Sequence, residues 1–367
     1  MVTAACPCCS PPTEILKGRS TEFIYVGGRE NFNLGTAYAI IWKCTDAGVL
    51  TRFYPGTANT SPMASRTVGK LDCDRSGNVY ATFLGGTASL ADVYSIDSGG
   101  TLRWSTVIKQ GVSDINTVVA MAVSPDGYVY CGTGTGRIHK LDATTGVEVT
   151  GGNWPYVFTG AVTLIGACCD QSGNVYMGGG RVAGTPGNTL ISLTPSGTVR
   201  WAVDVLGSGE TASGEITDID INLQQTLLTV VKGNTTGTAS ELFVVNPDTG
   251  TFTAADFQSA TGTEYSIAGV RYAATSSGLV KNGVVSPVFY QPFQLAPNAF
   301  APRPCLDIAV SRTEDIYMVQ FKSGSVSDEG IVRISSAGTK TWGVTMAASL
   351  RTNHCVLNSG HMGAWGL

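Results

Sequence analysis

Short runs of alternating apolar and polar residues, each ended by Gly, Asn, Asp or Ser, occupy most of the 367-residue chain. An alternation of this kind has the period of a half-buried β-strand. The clearest unit is DRSGNVY at 74–80, which returns as DQSGNVY at 170–176 and in variant form as SPDGYVY at 124–130. Asp and Ser side chains bond the backbone of a turn and Gly accepts a positive φ, so each copy predicts a strand, a tight turn and a second strand.

A second unit follows the first and often ends on tryptophan. Its copies read IDSGGTLRW at 96–104, LTPSGTVRW at 193–201 and ISSAGTKTW at 334–342, and each copy predicts another hairpin. Because a large aromatic ring buries much apolar area, we expect Trp104, Trp201 and Trp342 to pack between repeats.

The spacing of these units predicts the number of repeats. The second-unit glycines stand at 48, 100, 146, 197, 250 and 338, with steps of 46 to 53 residues except for the last, which is 88. That last step is about two periods, so one degenerate copy is expected between Thr251 and Pro304. First-unit turns are expected near Gly77, Gly127, Gly173, Gln225, Gly278, Glu314 and Gly360. Seven copies predict an all-β fold, a seven-bladed β-propeller with four-stranded blades.

The two ends of the chain are predicted to close this ring. The second unit around Gly48 has no obvious first unit before it. The first unit around Gly360 has no second unit after it. We therefore expect the N-terminal hairpin, Tyr38–Tyr54, to share a blade with a C-terminal hairpin around Gly360, which removes an exposed edge. The segment 22–28 is also strand-like, and it either replaces or supplements a C-terminal strand. Residues 1–21 are predicted to be an arm and 22–367 the propeller, with a degenerate blade and a long loop at about 257–304.

The two units resemble known propeller repeats. The Asp-x-Ser-Gly-Asn-Val-Tyr unit is similar to the repeats of seven-bladed propeller families, and the Gly-Thr-x-Arg-Trp unit resembles the PQQ-like repeat. The resemblance implies the fold and says little about activity, because such families include enzymes, scaffolds and surface proteins. Cys168 and Cys169 resemble the vicinal pair of PQQ-dependent alcohol dehydrogenases, although Cys169 occupies the same repeat position as Cys73 and is expected to be an ordinary strand residue.

Composition narrows the function classes. The chain has 46 Gly, 14% charged residues and a formal net charge of -4. These values argue against disorder and against a helix-rich protein. The sequence contains no Lys/Arg cluster of the kind that binds nucleic acid. It also contains no apolar run with the length of a membrane helix. The N-terminus lacks a secretory signal pattern. The expected location is a virion or the extracellular space without a classical signal peptide, after cytoplasmic synthesis.

Cysteines form the main chemical cluster near the N-terminus. Cys6, Cys8 and Cys9 lie together, and with His354 and Cys355 near the expected ring closure they are weak candidates for a metal site. Disulfides, or thiols used in assembly, are alternatives for the same cluster. Cys73, Cys131, Cys169 and Cys305 lie in strand-like runs, where free Cys packs as a small hydrophobe.

Other patterns favour structure over chemistry. Residues 72–77 resemble the start of a calcium loop, but the bidentate Glu is missing and a turn explains them better. The GTGTG run at 132–136 is followed by a strand-like pattern, so a hairpin is expected in place of a phosphate loop. A propeller-type glycosidase would need a pair of carboxyl groups at a set distance. Acidic residues are present, for example Glu215, Asp218 and Asp220, but they are scattered and the sequence does not show their geometry.

The degenerate segment and the arm are the preferred binding candidates. The segment around Pro287, Phe289, Tyr290 and Phe293 breaks the repeat and is rich in aromatics, and its alternative is a decayed blade. The arm, with Cys6, Cys8 and Cys9, suits contact with a neighbouring subunit.

These observations together predict a non-catalytic structural or binding propeller, with no catalytic residues and no cofactor. The preferred role is a multi-copy phage virion accessory protein on the tail or capsid surface. Its expected partners are other subunits of a protein assembly and a host-surface glycan, with no nucleic acid and no membrane. The alternatives are a propeller-type enzyme acting on polysaccharide, and a glycan-binding module.

Overall fold

A computed structural model describes residues 23–30, 36, 38–56, 63–85, 92–108, 118–159, 161–181, 187–205, 214–234, 241–258, 260–265, 270–275, 278–281, 305–311, 313–320, 329–345 and 351–357. These ranges contain 27 β-strands. Nothing among them is a helix with the length and apolar character needed to cross a membrane. The predicted all-β class is confirmed.

Six four-stranded antiparallel sheets form the blades of a β-propeller. Blade 1 consists of β1 (Phe23–Glu30), β2 (Tyr38–Thr45), β3 (Leu50–Tyr54) and the last strand, β27 (Arg351–Leu357). Blade 2 consists of β4 (Arg66–Cys73), β5 (Val79–Gly85), β6 (Val93–Ile96) and β7 (Leu102–Thr106). Blade 3 consists of β8 (Val118–Ser124), β9 (Tyr128–Thr133), β10 (Arg137–Asp142) and β11 (Tyr156–Val157).

The second half of the chain repeats the arrangement, with one incomplete sheet. Blade 4 consists of β12 (Ala161–Cys169), β13 (Val175–Arg181), β14 (Leu190–Leu193) and β15 (Val199–Val203). Blade 5 consists of β16 (Gly214–Ile221), β17 (Leu228–Asn234), β18 (Glu241–Val245) and β19 (Phe252–Gln258). A three-stranded sheet follows, with β20 (Ala260–Tyr265), β21 (Arg271–Thr275) and β22 (Gly278–Lys281). Blade 6 consists of β23 (Cys305–Val310), β24 (Ile316–Gln320), β25 (Glu329–Ile334) and β26 (Lys340–Thr345).

The predicted count of seven four-stranded blades is wrong, because the described residues form six. The seventh repeat was inferred from the long step between Gly250 and Gly338, and the described residues of that interval form only the three-stranded sheet. Gly278 does not belong to a first-unit turn as predicted, since it begins the third strand, β22. The interval lacks the Asp-x-x-Gly and Gly-x-x-x-Trp residues that define register elsewhere, so spacing alone misplaced its turns. Residues 282–304 lie outside the described part of the chain, so the expected long loop at about 257–304 stays a prediction.

Strands from both ends of the chain share blade 1, as predicted. The prediction paired two hairpins, whereas the described strands are one from the C-terminal end and three from the N-terminal end. In the described residues the C-terminus contributes the single strand β27, which pairs with β1 from Leu357 opposite Ile24 to Arg351 opposite Arg29. The segment 22–28 therefore replaces one strand of the predicted C-terminal hairpin, because β1 lies between β27 and β2. Its near-continuous burial is the pattern of a strand covered on both faces.

Turn residues behave as the repeat pattern predicts. The Asp74 carboxylate accepts the backbone N–H groups of Ser76 and Asn78 at 2.8 and 2.9 Å, and its other oxygen accepts the Asn78 amide at 2.7 Å. Asp170 makes the same three bonds in blade 4. Gln225 and Glu314, which stand where the other copies have Gly, keep a positive φ of 60° and 61°. The conserved turn geometry therefore sets the register even where the residue type has changed.

Each tryptophan of the second unit joins one blade to the next. The indole N–H donates to a backbone carbonyl in the 3–4 turn of the following blade, and four junctions share this bond. The pairs are Trp104 to Ala143 at 3.0 Å, Trp154 to Pro195 at 3.1 Å, Trp201 to Pro247 at 2.8 Å and Trp342 to Asp46 at 2.8 Å. The prediction that Trp104, Trp201 and Trp342 pack between repeats is confirmed, and Trp154 has the same role in blade 3. We call this arrangement the blade junction.

A cationic side chain donates to the same carbonyl at every one of these four junctions. The donors are Arg103 to Ala143 at 3.4 Å, Lys140 to Pro195 at 2.8 Å, Arg200 to Pro247 at 3.2 Å and Arg333 to Asp46 at 2.9 Å. Since a carbonyl oxygen has two lone pairs, one acceptor satisfies both donors. The ammonium group of Lys140 also lies 3.6 Å from the ring centroid of Tyr128, and burial lowers the pKa of Lys140.

Glycine completes the junction because the turn backbone rests on the indole. A Cβ added to Gly146 would come within 2.6 Å of Trp104, and one added to Gly250 would come within 2.8 Å of Trp201. Both glycines also have a positive φ, of 72° and 73°. The second-unit glycine is therefore required twice, by its backbone conformation and by the ring beneath it.

Gly250→Ala and Gly127→Ala separate these two requirements. Both positions have a positive φ, but a Cβ on Gly127 would meet nothing within 4 Å. We expect each substitution to cost about 1 kcal/mol for the left-handed backbone. Gly250→Ala should lower the free energy of unfolding by about 1–3 kcal/mol more, since Trp201 must move. Urea denaturation of both variants measures this difference, and equal losses would contradict the role given to the ring contact.

Candidate functional site: the turn face and the central channel

The two hairpin turns of each blade emerge on one face of the ring. In an antiparallel blade whose strands follow one another outward, the turn between strands 1 and 2 and the turn between strands 3 and 4 lie at the same end. Both repeat units therefore place their glycines on this face, which we call the turn face. Sequence analysis predicted the turns but not that they share a surface.

Exposed apolar side chains recur on the turn face just after the turn between the third and fourth strands of a blade. They stand one or two residues after the turn glycine in five successive blades, and we call them the apolar rim. The rim consists of Val49 (55% exposed), Leu102 (42%), Val147 (64%), Val199 (43%) and Phe252 (39%). Blade 6 has the exposed Lys340 at this position.

The rim accounts for most of the large apolar side chains that are exposed in the described part of the chain. Seven such side chains occur there, and Leu227, in the turn before β17, is a sixth on the turn face. The seventh, Val157, pairs with Arg137 at the start of β10 and thus lies at the opposite end of blade 3. Exposed apolar area is therefore concentrated on one face.

The polar groups between the rim residues hold the turns rigid. The Asp97 carboxylate accepts the backbone N–H groups of Gly99 and Thr101 at 2.9 and 2.8 Å. Asp142 accepts those of Thr144 and Thr145, and the bond from the Thr145 backbone lowers the pKa of Asp142. Since these carboxylates are bound within their own turns, the face presents apolar side chains on a preorganised backbone.

A second candidate site lies where the innermost strands surround the central channel. Every innermost strand breaks register with its neighbour at the same point through a β-bulge. We call the residues that immediately follow these bulges the bulge ring. Its members are His354, Lys70, Ala120, Gly166, Asp218, Gly262 and Asp307. β-Bulges re-aim side chains and often lie beside functional sites.

Lys70 is the ring member that crosses the channel. Its Nζ donates to the backbone carbonyl of Thr217 at 3.4 Å. Lys70 belongs to β4 in blade 2 and Thr217 to β16 in blade 5, so the side chain spans three blade positions. Thr217 is the bulged residue that precedes Asp218.

Two of the acidic residues singled out in the sequence have different roles, since Asp220 joins neighbouring sheets and Asp218 lies in the bulge ring. Asp220 is buried and accepts the backbone N–H of Tyr265 at 2.8 Å, which ties blade 5 to the three-stranded sheet. Asp72 makes the equivalent bond to Val123 between blades 2 and 3. Asp218 is half-buried in the bulge ring, with Asp307 at the equivalent position in blade 6. Sequence reasoning did not find Asp307 or Lys70, because a bulge has no fixed residue type.

The predicted metal and partner residues lie largely beyond the described part of the chain. Cys6, Cys8, Cys9, Pro287, Phe289, Tyr290 and Phe293 fall outside it, so their roles stay predictions. His354 and Cys355 lie on β27, opposite Gly27 and Val26. Across the described ranges, no group of three or more His, Cys, Asp or Glu side chains is arranged to hold a metal ion.

The remaining motifs have structural roles, as predicted. The carboxylates at 72–77 bond to backbone and side-chain groups of their own and the next blade. The GTGTG run forms the hairpin between β9 and β10. Cys168 and Cys169 are buried in different clusters, on opposite faces of β12, and neither forms a disulfide. Burial raises the pKa of both thiols well above its usual range.

Comparison with known proteins supports the fold alone. No protein-family model matches the chain, and no curated protein matches it in sequence. Among solved structures, it is similar to the computationally designed Ika8 protein, with 14% identity and a TM-score of 0.52 over 92% of this chain and 94% of that one. It is also similar to the RRP9 WD40 repeats, with 10% identity and a TM-score of 0.53 over 76% and 81%.

A third similar structure is much longer than this chain. It is the extracellular domain of the putative hybrid two component system BT4673 from B. thetaiotaomicron, with 11% identity and a TM-score of 0.54. The match covers 86% of this chain but 38% of that one, so the chain spans well under half of its length. These likenesses show a β-propeller. They identify neither of the repeat families that the sequence units resemble.

Site-resolved alkylation tests the structural role of the adjacent cysteines. We expect Cys168 and Cys169 to resist iodoacetamide in the folded protein, because burial disfavours the reactive thiolate. Both should react fully in urea. Mass spectrometry of the labelled peptides measures this, with Cys44 as a control, since burial raises the pKa of its thiol to about 12. Rapid labelling of either residue in the folded state, or a peptide containing a Cys168–Cys169 disulfide, would show a reactive pair instead.

Proposed function

We propose that this protein is a non-catalytic structural and binding β-propeller that works in several copies within a protein assembly. The apolar rim is the observation that carries the proposal. A single exposed Leu or Val is ordinary on a protein surface. Five of them recur at equivalent places on successive blades, and we take this repetition on one face as the mark of a contact surface.

The chemistry of the rim favours a protein partner. Four of its five residues are Val or Leu, whereas a glycan site requires aromatic rings and polar groups directed at hydroxyls. The cores of protein interfaces are depleted in charged residues, and only 14% of this chain is charged. Neighbouring subunits of the assembly are therefore the proposed occupants of the turn face.

The proposed setting is the surface of a phage particle, on the tail or the capsid. A rigid ring with Thr-, Ser- and Gly-rich turns and low charge suits a surface that meets identical neighbours. The arm with Cys6, Cys8 and Cys9 is a further proposed contact, together with the segment that carries Pro287, Phe289, Tyr290 and Phe293. Mass spectrometry of purified particles tests this setting, which a strictly free monomer in infected cells would contradict.

Rim variants test the role of the turn face. We expect the triple variant Leu102→Ser, Val199→Ser and Phe252→Ser to weaken assembly at least about tenfold, since burial of one such apolar side chain contributes about 1.5–3 kcal/mol. Sedimentation velocity and recovery with purified particles measure this loss.

The matched control is Val157→Ser, which changes an exposed Val at the opposite end of blade 3. It should assemble like the wild type, and equal urea midpoints would show that all variants fold. Unchanged assembly of the triple variant would overturn the proposed contact surface.

A second candidate function is a propeller-type enzyme acting on polysaccharide. It is favoured by the equivalent positions of Asp218 and Asp307 in the bulge ring, since glycosidases use two carboxyl groups. Release of reducing ends from a polysaccharide panel, abolished by Asp218→Asn, would support this function. Binding without cleavage on a glycan array would favour a glycan-binding module.

A further inference from the structure

One buried polar side chain breaks the blade repeat. The third strand of each blade has, three residues before the residue that opens the 3–4 turn, a side chain that packs against the preceding sheet. In five blades this side chain is apolar or aromatic, and all five are buried: Trp42, Tyr94, Ile191, Phe243 and Val332. Blade 3 has His139 at this position, only 1% exposed. Because a buried polar group costs free energy unless it is hydrogen-bonded, His139 points to a requirement specific to blade 3.

The imidazole of His139 has one hydrogen-bond partner in the described part of the chain. Its Nδ1 lies 2.6 Å from Oε1 of Glu148, whereas its buried Nε2 has no partner there. Since a carboxylate oxygen accepts, Nδ1 donates this bond and carries the proton of the ring. The bond to Glu148 is therefore the contact that offsets the burial of the imidazole.

Glu148 belongs to a part of blade 3 that differs from the other blades. The outermost strands of the other five blades have five to seven residues, whereas β11 has two. Residues 144–149, which we call the blade 3 rim segment, pair with β10 through one isolated bridge, between Leu141 and Glu148. This segment carries Val147, the most exposed residue of the apolar rim. The rim residue of blade 3 thus lacks the continuous strand that holds its counterparts.

We propose that His139 is a positioning residue for the turn face: through its bond to Glu148 it holds the blade 3 rim segment in the conformation in which Val147 meets a neighbouring subunit. The buried imidazole replaces the strand pairing that fixes the rim in the other blades. A segment held in its bound conformation loses less entropy on association. The role given to His139 rests on the proposed function, because Val147 matters to assembly only if the apolar rim is a contact surface.

Hydrogen exchange of the full chain, read by mass spectrometry, tests the positioning step without any partner. His139→Phe introduces the residue type that blade 5 has at Phe243, so it fills the core but removes the bond to Glu148. We expect the backbone amides of 144–149 to exchange at least about tenfold faster, since a hydrogen bond to a carboxylate is lost. The urea midpoint should not fall, because the unpaired Nε2 is removed as well.

Two further variants separate the bond from the packing. His139→Asn keeps a donor at the place of Nδ1 and should exchange more slowly in 144–149 than His139→Phe does. Glu148→Ala removes the same bond from the partly exposed side, so it keeps the test valid if His139→Phe fails to fold. Ile191→Val is the matched control, because it changes the core at the equivalent position of blade 4 and should leave exchange in 144–149 unchanged.

Sedimentation velocity of the same variants then tests the consequence for assembly. We expect Val147→Ser to weaken assembly about tenfold, the effect of losing one buried Val side chain. His139→Phe and Glu148→Ala should weaken it at least about threefold, the effect of having to order the segment on association. Ile191→Val should assemble as the wild type does.

The possible failures are distinguishable. Wild-type exchange of 144–149 in both His139→Phe and Glu148→Ala would overturn the positioning role. Faster exchange with unchanged assembly would also overturn it, while the proposed function would stand if the triple rim variant still assembles poorly. Wild-type assembly of the triple rim variant would overturn the proposed function and the role of His139 together.

Discussion

The ring depends on one repeated contact, in which a backbone carbonyl of one blade receives an indole N–H and a cationic donor from the blade before it. Ala143 illustrates the arrangement, since its carbonyl accepts from both Trp104 and Arg103. Gly146, three residues later, rests on the same indole ring. Hydrogen bonding, ring burial and close backbone approach therefore occur at a single point. Each of these blades therefore depends on a carbonyl in the turn of the next blade to accept its tryptophan N–H and its cationic donor.

The junctions differ where the sequence differs. At the contact between blades 1 and 2 the ring is Phe53, which has no N–H to donate, although Gly100 still packs against it. The junction from blade 6 to blade 1 adds a carboxylate acceptor. There Asp46 accepts from Trp342, Arg333 and the Tyr317 hydroxyl.

Both candidate sites follow from the same blade geometry. The 3–4 turns that complete the junctions also bring the rim residues Leu102 and Val199 to the start of their outermost strands. The bulges that bend the innermost strands place Lys70 and Asp218 at one level of the channel. A rigid scaffold of this kind holds binding residues in fixed positions, which lowers the entropy lost on association.

Local chemistry by itself determined the hairpins and their turns. The pattern placed strands at Tyr38–Tyr54, and it assigned a turn to Gln225 and Glu314 although neither is Gly. It also assigned the tryptophans to the contacts between blades. These features depend on residues within a few positions of each other, so a sequence pattern contains them. Where the pattern faded, between Gly250 and Gly338, the strand count failed.

Tertiary structure alone decided how distant segments meet. The single strand β27 joins blade 1 beside β1, although a hairpin looked equally suitable from the sequence. Lys70 reaches the carbonyl of Thr217, 147 residues away, because the bulges of two strands face each other across the channel. The rim became visible only when turns from five blades were placed on one face. Residue types fix local conformation, whereas contacts between remote segments depend on how many strands the ring closes with and on their register.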